Sequence, residues 1–267
     1  GNIVYYQNGL LTEEKPCMIA GLDYNTPWTR DTAINIWNAL SILSPEVSKN
    51  TLLAVLEEEE GNIYIGGQYW DSIIWMIGAR EYCRFHKDDN FYRLAFEAGR
   101  NSVHRLEEDE FDEEDGLFRG PAVYGDGIAA YPDKYSKCPN QGSGILEWVD
   151  YPGNPVYPKG YGIPMKALST NCVYFKAYEI LAEMAHALGE PAKEFEEKAA
   201  AMKKAVNKNF WNEKRGSYDY LCDNENIKIG DKIIVPANDE EKEVTVVNIF
   251  EKTESETALP IKSYKKV

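Results

Sequence analysis

The sequence predicts an all-α fold: a toroid-like array of αα-hairpins, incomplete because only three hairpins are found, followed by a small C-terminal β segment. Three observations predict it: helical spacing of apolar residues, an internal repeat, and one long segment rich in glycine, proline and tyrosine. The chain has 267 residues, of which 43% are hydrophobic and 12% aromatic. That composition is enough for one large domain with its own core, or for one domain with a small appendage.

The first predicted αα-hairpin lies near the N-terminus. Thr29 or Asp31 can cap a helix that runs to about Leu43, with apolar residues at helical spacing. Ser44-Pro45-Glu46 then starts a second helix, with serine at the cap and proline in the first turn. This helix ends in the acidic run Glu57–Glu60, which we interpret as a solvated helix end.

The second predicted hairpin begins after a loop from Asn62 to Gly67. A helix over 68–85 is apolar on nearly all sides, so we expect it to be deeply buried. The run Asp88-Asp89-Asn90 is typical of a helix cap and predicts a partner helix to about Glu110.

The third predicted hairpin follows the long segment. Its first helix covers 167–188 and stops at Gly189, and Pro191 starts the second helix, which runs to about Trp211. The sequence also repeats itself, because FDEEDGLF begins at Phe111 and WNEKRGSY begins 100 residues later, each directly after a helix. Repeats of this kind are typical of helical solenoids and toroids.

The last part of the chain has a different pattern. IKIGDKIIV and KEVTVVNIF are rich in β-branched residues and flank PANDEE, which predicts a β-hairpin. Nothing after residue 225 predicts a helix. We therefore divide the chain into a helical domain, 1–223, and a small β-rich tail, 224–267.

Charge and composition exclude several classes of function. A net charge of −15 disfavours nucleic acid as a partner, because there is no basic patch to neutralise phosphates. No apolar run is long enough to span a bilayer, so no membrane partner is expected. The five cysteines are widely spaced, odd in number and outside any zinc-binding pattern, which predicts free thiols: Cys17, Cys83, Cys138, Cys172 and Cys222.

Two short segments at predicted helix starts carry candidate binding residues. In TPWTRDTA, Arg30 and Asp31 could offer hydrogen-bond donors and a carboxylate to sugar hydroxyls, or they could serve only as a structural arginine and a capping acid. In GGQYWDSIIW, Tyr69, Trp70 and Asp71 follow a glycine pair. There a structural cap is the alternative, since a helix N-terminus favours an acid in any case.

The long segment from Asp112 to Pro164 is the third candidate. Segments of this length are functional or disordered, and its many aromatic residues, Tyr124 among them, argue against disorder. A proton donor needs a carboxyl in a sheltered, partly apolar place. Asp126, which lies between glycines, and Glu147 in LEWVD are the best placed for that role. Asp115, before Gly116, is expected to be a turn residue.

Other catalytic patterns are missing from the sequence. His86, His104 and His186 are far apart and match no metal or Ser-His-Asp spacing, so we expect structural roles for them. There is no phosphate-binding glycine loop and no nucleophile elbow. The acidic DEEDG turn does not match a calcium loop, so a solvated turn is expected and no metal is assigned.

Taken together, three segments resemble the six-hairpin glycosidases, the (α/α)6-toroid enzymes that include glucoamylases, processing α-glucosidases and debranching-type enzymes. The segments are TPWTRDTAINIW, GGQYWDSIIWMIGAREYCRFHKDDNFYRLA and DEEDGLFRGPAVYGDGIAAYP. The resemblance covers roughly residues 20–222. It is more specific for the clan than for any one family.

The resemblance implies a role for each matched segment. In the aromatic-Thr-Arg-Asp segment of the family, the Arg-Asp pair holds hydroxyls of the terminal sugar, which matches Arg30 and Asp31. Trp28, the aromatic residue of this segment, is also a candidate binding residue. The Tyr-Trp-Asp segment lines the same pocket and matches residues 69–71. The loop after the second hairpin supplies the general acid, which matches Asp126.

The function implied is exo-acting hydrolysis of an α-linked oligosaccharide with inversion, without a cofactor. In the family the catalytic base comes from a C-terminal helical half that has no counterpart here. A non-catalytic carbohydrate-binding or assembly protein is therefore the alternative, and a lyase or epimerase on a similar toroid is a third. An open arc of three hairpins would expose apolar flanks, so we also expect a homodimer that completes the ring.

Overall fold

The computed structural model describes residues 1–67, 70–120, 122–123, 166–212, 217–218, 220–221, 228–237, 240–246 and 265–266. This part of the chain is mostly helical, with small antiparallel strand pairs, as predicted. The helices are α1 (Thr29–Asn35), α2 (Ser41–Leu43), α3 (Pro45–Ala54), α4 (Asp71–Phe85), α5 (Asp89–Glu110), α6 (Leu168–Leu188) and α7 (Lys193–Phe210). A π-helical turn, Ile36–Leu40, joins α1 to α2.

The strands form six two-stranded sheets among the described residues. Antiparallel pairs join β1 (Ile3–Tyr6) with β2 (Lys15–Met18), β3 (Leu56–Glu59) with β4 (Asn62–Ile65), β5 (Phe111–Asp112) with β6 (Leu117–Phe118), β7 (Trp211–Asn212) with β8 (Ser217–Tyr218), and β10 (Lys232–Ala237) with β11 (Glu240–Thr245). A parallel pair joins β9 (Tyr220–Leu221) with β12 (Lys265–Lys266).

Three of the predicted helix boundaries are confirmed by their local chemistry. The carboxylate of Asp88 accepts a hydrogen bond from the backbone N–H of Phe91 at 3.0 Å and caps α5. Pro45 occupies the first position of α3 after Ser44. Gly189 ends α6 in the left-handed conformation, at φ 71°.

The expected cap of the first helix is wrong. Trp28 is the N-cap residue of α1, and no side chain makes a capping hydrogen bond. The hydroxyl of Thr29 instead donates to the carbonyl of Gly66 at 2.8 Å, just before the start of α4. Thr29 therefore links two helix starts and does not cap its own helix.

The acidic run Glu57–Glu60 is a β-hairpin and not a solvated helix end. Glu60 and Gly61 take positive φ angles of 51° and 79°, which turn β3 directly back into β4. Because positive φ suits glycine, Gly61 allows the turn that the four consecutive glutamates alone do not suggest.

The internal repeat is confirmed, and the structure adds a third copy. The pair Phe111↔Phe118 in β5–β6 matches Trp211↔Tyr218 in β7–β8, with partners seven residues apart in each hairpin. The hairpin β3–β4 contains the same register at Glu57↔Tyr64. Each of the three hairpins follows a helix (α3, α5 or α7), and the first two lead into the next helix (α4 or α6).

Helix α4 is the centre of the array and lies between α1 and α6. Its residues Ile73, Ile74, Trp75 and Met76 are almost completely buried, which confirms the prediction of a deeply buried helix. Thr29 at the start of α1 bonds Gly66 just before α4, and Ala33 further along α1 meets Gly78 of α4, so these two helices run in the same direction. Their N-termini therefore lie together.

Two glycines allow the helices to approach closely. A Cβ atom on Gly78 of α4 would lie 2.8 Å from the Cα of Ala33 in α1. One on Gly99 of α5 would lie 2.8 Å from the sulfur of Met76 and 3.2 Å from Leu181 of α6. The array is thus packed backbone against backbone where α1 crosses α4.

The C-terminal residues form strands, as predicted, and the described part contains no helix after α7. The parallel pairing of Tyr220 with Lys265 brings the chain end back beside residues that precede the tail. The division into domains at residues 223 and 224 stays a prediction.

Two further sequence predictions concern described residues. Cys17, Cys83 and Cys172 are free thiols, and burial raises the pKa of Cys17 to about 11 and that of Cys83 to about 12. None of the helices described is long and apolar enough to cross a bilayer.

Replacing Gly78 with valine should separate α1 from α4. We expect Gly78→Val to lower the free energy of unfolding by at least about 2 kcal/mol, because the new side chain meets backbone atoms of Ala33 that cannot rotate away. Gly21→Val is the control, since its nearest neighbour lies 3.8 Å from an added Cβ. Urea unfolding followed by circular dichroism measures both, and equal stability of the two variants would contradict the close crossing.

Candidate functional site

The N-termini of α1 and α4 meet at one place. The hydrogen bond from Thr29 to the Gly66 carbonyl joins them, and Gly67 lies beside it with φ 111°. A Cβ on Gly67 would lie 2.7 Å from both the Asp71 carboxylate and the Thr29 hydroxyl. Only a glycine fits here, so the glycine pair at 66–67 allows both helix starts to come together.

Arg30 and Trp70 are brought into contact at this junction. The guanidinium carbon of Arg30 lies 5.1 Å from the centre of the Trp70 ring, a cation–π distance. Trp70 is completely buried, whereas Arg30 is half-buried. The buried indole therefore packs against the arginine and favours its position at the junction.

Two carboxylates belong to the same junction. Asp71 is 2% exposed and lies in the first turn of α4, next to Gly67 and Thr29. Asp31 is half-buried in the first turn of α1. A helix N-terminus favours negative charge, and a carboxylate there can accept hydrogen bonds from hydroxyl groups.

Trp28 lies at the edge of the junction. Its ring is 37% exposed and meets the ring of Tyr24 edge to face, with centroids 6.0 Å apart. Both aromatic rings are accessible to solvent. Such rings offer flat apolar surface for the face of a sugar.

Four of the predicted site residues lie outside the described residues: Asp126, Glu147, Tyr69 and Tyr124. Of the other five, Arg30, Trp70 and Asp71 share one junction, and Trp28 and Asp31 flank it on α1. The predictions for the general acid and for the loop aromatics stay predictions.

The sequence did not suggest the cluster of charged side chains around Lys166. Lys166 is 4% exposed, and its ammonium group donates to Asp112 at 2.8 Å and also to Asp115. Arg119 lies 3.6 Å from Glu110 and 3.9 Å from Asp112. The hydrogen bond from Lys166 is the main cause that lowers the pKa of Asp112.

The DEEDG turn is therefore a buried ion-pair site on one side and not a fully solvated turn. Asp115 is the predicted turn residue, because its carboxylate accepts from the N–H of Leu117 at 3.1 Å and Gly116 follows with φ 73°. No local pattern pairs a lysine with acids more than 50 positions earlier, so only the fold reveals this contact.

Asn171 reinforces the same connection. Its amide oxygen accepts from the backbone N–H of Phe118 at 2.8 Å, and its amide nitrogen donates to the Phe118 carbonyl at 3.1 Å. The ring of Phe118 also stacks on Tyr174, with centroids 3.5 Å apart. Asn171 thus holds the end of β6 against the start of α6, and Lys166, just before α6, holds β5 and the turn of the same hairpin.

Glu57 borders the junction from the β3–β4 hairpin. Its carboxylate lies 2.4 Å from where a Cβ on Gly66 would stand. Burial is the main cause that raises the pKa of Glu57, and the nearby Glu59 adds to it. Glu57 therefore places a second half-buried acid against the turn that precedes α4.

The structure thus shows a partial array of αα-hairpins with arginine, tryptophan and aspartate at two converging helix starts. The comparison with known families agrees. Residues 71–231, more than half of the chain, match the family described as Mannosylglycerate hydrolase MGH1-like glycoside hydrolase domain, and the chain belongs to that family. No curated protein and no solved structure matches the chain.

Removing the Lys166 ammonium tests the ion-pair cluster. We expect Lys166→Met to lower the free energy of unfolding at pH 7 by about 3 kcal/mol, since it leaves two partly buried carboxylates without their partner. Urea unfolding is the measurement. Lys193→Met, which removes an exposed lysine, is the control and should change stability by no more than about 0.5 kcal/mol.

The pH dependence gives a second measurement of the same cluster. The pKa of Asp112 is lowered in the folded protein, so its stabilisation is complete above the ordinary carboxyl pKa of about 4 and is lost as the pH falls through the folded-state pKa. The stability difference between wild type and Lys166→Met should therefore shrink below that pH. A difference that stays constant down to pH 2 would contradict the ion pair.

Proposed function

We propose that this protein hydrolyses the glycosidic bond of the terminal sugar in an α-linked oligosaccharide. The observation that carries the proposal is the junction at the starts of α1 and α4, where Arg30 lies over Trp70 beside Asp71. The family match supports a glycoside hydrolase and a carbohydrate substrate in general. Linkage, chain length and mechanism are our proposal.

In the proposed complex the terminal sugar lies over the junction. The Arg30 guanidinium donates to sugar hydroxyls, and Asp31 and Asp71 accept from them. Trp70 holds Arg30 in place, and Trp28 offers its exposed ring to one sugar face. Tyr69 and Tyr124 are proposed to complete the binding surface.

Bond cleavage is assigned to carboxylic acids. We propose Asp126 as the general acid that protonates the leaving oxygen, with Glu147 as the second candidate for that role. An opposed carboxylate would activate water on the other face of the sugar, about 6.5–9.5 Å from the acid, and invert the anomeric centre. The water-activating base is not assigned to a residue.

A non-catalytic carbohydrate-binding protein is the second candidate. It is favoured by the same junction, because Arg30, Asp31 and Asp71 bind hydroxyl groups whether or not a bond is broken. The two proposals differ in turnover alone, so one set of assays separates them.

Replacing Asp126 tests the catalytic proposal. Wild type is assayed on aryl α-glycosides, malto-oligosaccharides and mannosylglycerate, the last because the family description names it. We expect Asp126→Asn to lower kcat by about 10²–10⁴-fold on the substrate that is turned over, since general acid catalysis is lost. Asp89→Asn, at an exposed aspartate of α5, is the matched control and should keep full activity.

Binding and stability are measured on the same variants. Sugar binding by calorimetry without any turnover by wild type would support the carbohydrate-binding alternative. Activity that survives Asp126→Asn but not Glu147→Gln would move the acid to Glu147. The anomer released first, followed by NMR, decides between inversion and retention.

The homodimer is also a proposal. Trp37, Ile42 and Leu43 on the first helical segment are 49%, 59% and 78% exposed, an apolar surface that soluble proteins usually cover. We propose that a second copy of the chain covers it.

Light scattering after size-exclusion chromatography should then give twice the mass of the chain. The variant Trp37→Ser/Leu43→Ser should give a monomer, because it removes apolar area from the contact. Ile229→Ser, at another exposed apolar residue, should leave the dimer intact. A wild-type monomer at all concentrations would overturn the dimer and leave the hydrolase proposal unaffected.

A further inference from the structure

A groove of about 650 Å³ lies between α5, α7 and the β5–β6 hairpin. Its apolar floor contains Phe111, Tyr178 and Met202, and its rim contains Glu108 and Glu113. None of its lining residues belongs to the junction at the starts of α1 and α4. Its volume is in the usual range for small-molecule sites.

In the preceding repeat, the corresponding space lies between α5 and the β3–β4 hairpin. Side chains of α5 fill it. The Ser102 hydroxyl accepts from the N–H of Ile65 at 2.9 Å, and the Asn101 amide donates to the Ile63 carbonyl at 3.1 Å. Strand β4 is therefore bonded directly to α5.

Arg105 completes that contact. Its guanidinium donates to both carboxylate oxygens of Glu59, at 3.3 and 2.8 Å, and lies 3.4 Å from the centre of the Tyr64 ring. A guanidinium between a carboxylate and an aromatic ring is a favourable arrangement. The first repeat thus supplies its own cation to this position.

The next repeat lacks that cation. With the offset of 100 residues between the repeats, Asn101, Ser102 and Arg105 correspond to Ala201, Met202 and Ala205. Ala205 still meets the hairpin, because its Cβ lies 3.3 Å from where a Cβ on Gly116 would stand. The three hydrogen-bonding side chains of α5 are thus replaced in α7 by alanine, methionine and alanine. These residues leave the groove open.

The acids remain in the second repeat. By the register of the hairpins, Glu113 corresponds to Glu59, and Phe118 corresponds to Tyr64. Glu108 and Glu113 are exposed at the rim, and the aromatic floor adds Phe111. The carboxylate part of the Arg105 site is thus present as Glu113, while Phe118 is buried against Tyr174 and the aromatic surface of the groove is supplied by Phe111 and Tyr178.

At the other wall of the groove, two glutamates already bind a lysine of the chain. Lys198 donates to Glu107 at 2.8 Å and to Glu194 at 2.6 Å, and Tyr178 donates to Glu107 at 2.6 Å. Burial opposes the charged form, but these carboxylates raise the pKa of Lys198 overall. Because Glu107 and Glu194 already bind Lys198, the carboxylates open to a cationic ligand are those of Glu108 and Glu113.

We propose that this groove is a second binding site, which takes a small organic cation bearing a guanidinium or primary ammonium group. The cation occupies the position that Arg105 fills in the preceding repeat, between the Glu113 carboxylate and the aromatic floor. The proposal is independent of glycoside hydrolysis.

A divalent metal is less well supported by the same residues. Ligand atoms of His104, Glu107 and Glu194 lie within 4.8 Å of one another. The Lys198 ammonium is hydrogen-bonded to both carboxylates, however, so a metal ion would have to displace it.

The test is calorimetric titration of the whole chain with agmatine, which carries a guanidinium and an ammonium group. We expect saturable binding by wild type. The variant Glu108→Gln/Glu113→Gln should weaken it by about tenfold or more, which corresponds to about 1.4 kcal/mol. The control Glu14→Gln/Glu58→Gln removes two exposed acids elsewhere, with the same change in net charge, and should change affinity less than about twofold.

The second variant is designed to fill the groove with a side chain of the protein itself. Ala201 is exposed and lines the groove, so Ala201→Arg should fold normally and place a guanidinium inside. We expect it to abolish agmatine binding at unchanged thermal stability. Absence of agmatine binding to folded wild type, equal losses in the two glutamine variants, or binding of Zn²⁺ alone would each overturn the proposal.

Discussion

The crossing of α1 and α4 is the contact on which the rest of the array depends. At Gly78 the two backbones approach so closely that a Cβ would lie 2.8 Å from the Cα of Ala33. Since the helices run in the same direction, this crossing brings their N-termini together, where Thr29 bonds the carbonyl of Gly66. The position of Arg30 over Trp70 follows from that geometry. A wider crossing would separate the arginine from its supporting ring without changing either residue.

The acidic residues of the junction lie where the N-termini of α1 and α4 favour negative charge. Unpaired backbone N–H groups and the helix dipole make each N-terminus favourable for acids, and α1 and α4 place Asp31 and Asp71 there. Arg30 adds a half-buried cation to these two acids. That balance suits a neutral, hydroxyl-rich ligand, which needs both donors and acceptors and no strong net field.

The helices and most of their boundaries could be predicted from the sequence. The contacts that could not be predicted join residues far apart in the chain. Helical spacing and caps such as Asp88 identified the helices, because those effects act within a few residues. The β3–β4 hairpin was missed, although Gly61 before a β-branched segment is a hairpin pattern in retrospect. The ion pairs of Lys166 join residues more than 50 positions apart, and no local pattern contains that information. Arg30 and Trp70 were grouped by a resemblance to a family, not by their spacing.

The repeat explains why the chain can insert a long connection without disturbing its core. The end of β6 lies beside the start of α6, because Asn171 bonds both backbone groups of Phe118. Lys166, just before α6, bonds Asp112 and Asp115 of the same hairpin. The connection therefore starts and finishes at one point, and its length adds little to the cost of closing it. Residues in such a connection can vary in sequence while the helical contacts stay the same.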